Sequence, residues 1–234
     1  MIKRIHVVST GVRLRWFTLP AMLLAAACSA PAHSPPSPAR TTVTAGQVVH
    51  VDPDNIRRMR GSFPAGYEIS DIQGAASPAK FWGLQPDWSS DPRQCAALAD
   101  PANGSATSEG LSASGSGGII YVVVAASPSA SGPDPGTVTS CHHWSMDAGR
   151  TAAVINMVDA PAIGGVPTLA TVAAVRTIVE GGIETDLRAT TTIAYLGNYV
   201  AFVTVVTDPG SGQPELPADL ASTLLTRAVA TLRG

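Results

Sequence analysis

The residues of this chain that could do chemistry are few and scattered. Beyond the N-terminal region there are three histidines, His50, His142 and His143, since His6 and His33 fall earlier. His142 and His143 are adjacent, and neighbouring side chains on a strand point to opposite faces, so the pair cannot ligate one metal without a kink. The bland reading is one surface histidine and one partly buried beside a disulfide. His143 with Asp147 and a serine assembles a triad on paper, as almost any chain of this length permits. Glu180, Glu184 and Asp186 cluster around Gly181-Gly182. Paired carboxylates can cleave glycosides, but hairpin tips are ordinarily solvated. There is no G-x-S-x-G, no G-x-x-x-x-G-K, no H-E-x-x-H and no EF-hand loop. The expectation is a non-enzyme with no cofactor and no metal site.

The most distinctive apolar stretch is "KFWGLQPDW", in which Phe81, Trp82, Leu84 and Trp88 fall close together in a chain that is 5% aromatic. Such rings fill gaps between a helix and a sheet, and they also bind sugars and lipids. If the domain has a ligand groove, these residues place it beside Phe81, Trp82, Trp88 and Tyr67.

The N-terminal residues carry an export signal. Lys3, Arg4, Arg13 and Arg15 precede an apolar run from Trp16 to Ala27 that ends in small residues, the order of a secretory signal. The run is too short to cross a bilayer as a helix, at about 18 Å against about 30 Å, and Pro20 interrupts it. Cys28 follows directly, as in a bacterial lipobox, although Ala25 stands where leucine is preferred. Residues 1–27 are thus read as a lipoprotein signal peptide and Cys28 as the lipidation site. The open alternative is ordinary secretion with Cys28 incidental. Residues 28–46 form a Pro/Ser/Thr-rich tether, and 47–234 a single extracytoplasmic domain, held by N-terminal acyl chains to the outer face of the cell membrane. Two cysteines remain, Cys95 and Cys141, and an exported even pair is most simply a disulfide.

Charge narrows the partners. With four of the 15 basic residues in the leader and all 17 acidic ones beyond it, the mature chain carries about −6. That argues against nucleic acid, which needs a basic stripe, and leaves the acyl chains as the membrane contact.

The elements that must position these residues follow from caps and periodicity. Asp52-Pro53, Ser77-Pro78 and Asp91-Pro92 each put an acceptor before a proline at a helix start, and Asp91 with Gln94 resembles a capping box. A last helix is predicted over Pro217–Leu232, with Leu220, Leu224, Ala228 and Leu232 on one face. Between them Gly118–Ala126, Thr151–Asp159, Thr168–Val179, Glu184–Leu196 and Tyr199–Thr207 are rich in β-branched residues. Gly181-Gly182 and Gly197-Asn198 are hairpin turns. Asn103–Gly117 and Ser127–Gly136 are expected to be loops. The fold class is α+β: an antiparallel sheet of about five or six strands, N-terminal helices and a C-terminal helix packed on one face, and one disulfide tying the third helix to the middle of the sheet.

"FPAGYEI", "APAIGG", "VEGGIETD", "TDPGSG" and "LLTRAVATLRG", with the two cysteines, resemble a family of mycobacterial lipoproteins carrying a domain of unknown function, over Val48 to Gly234. More distantly the arrangement resembles the extracellular sensor domain of a mycobacterial receptor serine/threonine kinase, which has two disulfides where this chain can make one. The anchor, the tether, the disulfide and the lack of catalytic motifs lead to the expectation of a non-enzymatic envelope domain that binds a small hydrophobic ligand or an envelope protein, in a sensing or accessory role. The alternatives are a hydrolase acting on envelope lipids or glycans, and a structural envelope component.

Overall fold

The computed structural model describes residues 50–105, 107–127 and 132–234; Cys28, the leader and the tether lie outside them. Nine strands form one sheet: β1 (Glu68–Gln73), β2 (Ser89–Asp91), β3 (Ser108–Gly115), β4 (Gly118–Ala126), β5 (His143–Ala148), β6 (Thr151–Val158), β7 (Thr168–Ile178), β8 (Glu184–Tyr195) and β9 (Tyr199–Thr207). Their order is β1-β3-β4-β9-β8-β7-β6-β5-β2, antiparallel throughout. The α+β class holds, and the sheet is larger than five or six strands. The five strands expected from β-branched runs are present to within a residue at each end. The additional ones are short or polar. β3, "SEGLSASG", lies in the stretch read as a loop, and its pairing with β1 and β4 overrides a weak strand propensity.

Helical segments cover both faces, not one. Asp52 caps the 3-10 helix Pro53–Ser62, its Oδ1 accepting from the Asp54 amide. Ser77 caps α1 (Pro78–Phe81) in the expected way. Asp91 does not cap a helix: it ends β2, the Asp91–Pro92 peptide is cis, and a 3-10 turn, Arg93–Cys95, leads into α2 (Ala96–Ala99) without a side-chain cap. The same Asp-Pro chemistry works at Asp134-Pro135, where Asp134 accepts from the Thr137 amide and opens α3 (Pro135–Ser140), partly inside the other stretch read as a loop. The C-terminal helix α4 (Leu220–Leu232) starts three residues later than Pro217, and it buries Leu224, Ala228 and Leu232 as the period requires.

The need for two covers is written into β4 and β9. Ile120, Val122 and Val124 alternate with Val123 and Ala125, and all five are buried; strands apolar on both sides must be sandwiched. On one face α1, α2 and the turn between them pack on Trp144, Ile155, Ile193 and Phe202. On the other, α4 and the 3-10 helix pack on Leu111, Val122, Ala201 and Val203. The Cys95–Cys141 disulfide, with Cα atoms 5.6 Å apart, belongs to the first face. It ties the turn before α2 to the end of α3, one residue from His142 and close to β5, and not to the middle of the sheet.

A trough on the half-covered face

α4 and the 3-10 helix reach only part of their face. In β6 the residues at 151, 153 and 155 are buried beneath the α1 face, while Ala152, Val154, Asn156 and Val158 on the other side are exposed. Val154 is 42% and Val158 43% exposed. β7 continues the pattern: Ala173 and Val175 are buried, whereas Ala174, Arg176 and Ile178 are exposed. The open side of these strands is mostly apolar, with Asn156 and Arg176 among its residues, and it has no cover among the described residues.

Register turns this face into a grid. One row runs Ser145, Val154, Ala174, Arg188, Thr207 across β5 to β9, and the next runs His143, Asn156, Val172, Thr190, Val205. Two adjoining concavities lie on it. One, about 660 Å³, has a floor that includes Ala152, Val154, Val172 and Ala174. The other, about 510 Å³, lies between Thr190, Thr192, the segment Asp208–Ala218 and the start of α4. Val172, Arg188 and Pro209 line both, so the two make one trough. Each volume falls in the range of about 300–1,000 Å³ usual for small-molecule sites.

The polar groups of the trough are not all engaged. Arg176 sits between Glu184 at 3.3 Å and Asp186 at 3.1 Å, and hydrogen bonding to Asp186 with the two negative charges raises its pKa. Thr192 donates to the Ala221 carbonyl at 3.0 Å. The side chains of Arg188, Asp159 and Glu215 make no hydrogen bond or ion pair with another described residue.

The four residues proposed as a groove from sequence do not come together. Trp82 is fully buried, its Nε1 donating to Thr191 Oγ1 at 3.0 Å, and Thr191 in turn shares a hydrogen bond of 2.9 Å with Thr204. Phe81 stacks on Tyr121 with centroids 4.0 Å apart, and Trp88 packs half-buried on the same core. Burial pushes the Tyr121 phenol up. Tyr67 is on the opposite face, packed with the α4 cluster, its hydroxyl donating to the Ser116 carbonyl. The aromatic stretch is core because α1 lays it directly on the sheet.

His142 and His143 are both exposed, so neither is the partly buried one expected. His143 Nδ1 pairs with Asn156 Oδ1 at 2.8 Å and not with an acid. Glu184 and Asp186 share Arg176, and among the described residues no three His, Cys, Asp or Glu side chains gather as a metal would require. The trough residues carry one legible signal: β6 and β7 are apolar at consecutive positions, which puts apolar side chains on both faces whether or not both are covered. The segment 208–218 that walls the trough has no periodicity to read.

Comparison with known proteins finds no match among curated proteins. A solved structure, that of an uncharacterized protein from Mycobacterium smegmatis described as an Rv0999 ortholog, is similar at 18% identity with a TM-score of 0.57, over 80% of this chain and 100% of that one; at that identity the likeness is one of fold. A family model matches residues 52–233, nearly the whole described domain, and the chain belongs to that family, described as Domain of unknown function (DUF5642).

Proposed function

We propose that this chain is a lipid-anchored envelope protein whose domain binds a small, largely hydrophobic molecule without transforming it, in a sensing or accessory role. The observation that carries the reading is the trough: valines and alanines of β6 and β7 left open to solvent next to a cavity of ligand size. Uncovered apolar surface of this kind marks an interaction site more often than a tolerated defect. The leader and Cys28 support the anchor, and the exported disulfide fits an extracytoplasmic home.

Native mass spectrometry of the protein expressed with its own N-terminal segment in a mycobacterial host tests the binding reading. The expected result is a retained mass beyond the polypeptide and its acyl chains, lost on denaturation. A bare mass with turnover of acyl or glycosyl esters would favour the hydrolase instead. For the anchor, Cys28→Ala should move the protein out of the membrane fraction; retention there would end the lipidation claim.

A further inference from the structure

The trough changes chemistry along its length. Toward β6 its floor is Ala152, Val154, Val172 and Ala174, and the charges at that end, Arg176 and Asp186, neutralise each other. The other concavity is mixed: Val158, Val205 and Leu216 share its lining with Thr190, Ser211 and Ser222, and with three carboxylates, Asp159 at the end of β6 and Asp208 and Glu215 in the segment before α4. Arg188 stands between the two ends.

An apolar end asks for a hydrocarbon, since contact there removes apolar surface from water. The polar end selects its head group by charge. One guanidinium, Arg188, and three carboxylates share this lining, so an anionic head meets net repulsion, a cationic head meets Arg188 where the two concavities join, and hydroxyls can donate to Asp159 and Glu215 and accept from Arg188 and Thr190. Resting on the binding reading above, we propose that the trough holds a single-chain amphiphile with an uncharged polyhydroxyl head. Its alkyl chain lies along β6 and β7, and its head lies against Asp159, Glu215, Thr190 and Arg188.

The test is calorimetric titration of the full chain carrying Cys28→Ala, so that no acyl chain of its own competes. The probes are dodecyl maltoside, dodecanoate and maltose, each below its micelle-forming concentration. Dodecyl maltoside should saturate at one molecule per chain, with dodecanoate weaker by about tenfold or more and maltose alone undetectable. Asp159→Asn and Glu215→Gln should each weaken the maltoside by about tenfold and leave dodecanoate unchanged or tighter. Val154→Asp should weaken both amphiphiles by about tenfold or more, because it sets a charge beneath the chain. A photoreactive alkyl maltoside on the unsubstituted trough should label residues 152–158 and 170–174, which keeps the test informative if Val154→Asp does not fold. Dodecanoate binding as tightly as the maltoside would overturn the head assignment and leave the binding reading standing. Failure of both amphiphiles to bind, or labelling elsewhere, would overturn the trough as a site.

Discussion

The two faces of the sheet are built from the same strands and end in opposite states. Beneath α1 and α2 the face is sealed: Trp82, Trp144, Phe202 and Ile155 are all at or below 1% exposure, and the disulfide fixes the segment that covers them. Across the sheet, one residue away along β6, Val154 is open to solvent. The difference comes partly from the strands, since the open face mixes His143, Ser145, Asn156, Arg176, Arg188 and Thr190 with its valines and alanines, and partly from what lies over them. Four short helical pieces and a covalent link serve one face, whereas one long helix and a 3-10 helix stop short on the other. On the binding reading proposed above, a sheet covered behind and open in front would offer a ligand a surface that need not rearrange to be used.

The contrast can be broken or sharpened in order of effect. Removing the disulfide by Cys95→Ser with Cys141→Ser should cost about 4 kcal/mol in denaturant unfolding, from the chain entropy released when a loop of 46 residues is no longer closed. A loss below 1 kcal/mol would mean that α2 holds the sealed face without it. Next, Ile155→Thr should cost about 3 kcal/mol, by emptying packed volume and burying a hydroxyl. Trp82→Phe should cost about 2 kcal/mol, since the indole donor to Thr191 is lost and a gap opens under α1. Smallest of all, Val154→Thr should change stability by less than about 0.5 kcal/mol, because its side chain already meets water. Equal costs for Ile155→Thr and Val154→Thr would mean that the open face is covered in solution, and the comparison would fail.

Much of this was legible beforehand, for identifiable reasons. The strands Gly118–Ala126 and Tyr199–Thr207 could be bounded to the residue because β-branched runs end at glycine, asparagine or proline turns. The Asp52 and Ser77 caps were readable because a cap is a contact over two or three residues. Asp91 failed as a cap although its sequence was as good, because β2 pairs it with Ser145, far along the chain. β3 was illegible for the same reason: serines and glycines become a strand only between β1 and β4. At the aromatics both readings stayed open, core or groove, because composition cannot tell a ring that packs from a ring that waits for a ligand; the structure puts Trp82, Phe81 and Trp88 on the core.

By itself the sequence determined what short-range chemistry and pairing arithmetic determine: a cysteine pair, an acidic domain, an antiparallel meander and an amphipathic C-terminal helix. Only the tertiary structure decided how far the cover would reach over the mixed face of β6 and β7, where Val154 and Val158 lie beside Asn156 and Arg176. Alternation assigns each side chain to a face, while the cover over that face comes from segments distant along the chain, whose reach depends on the order of nine strands and not on any residue in β6 or β7.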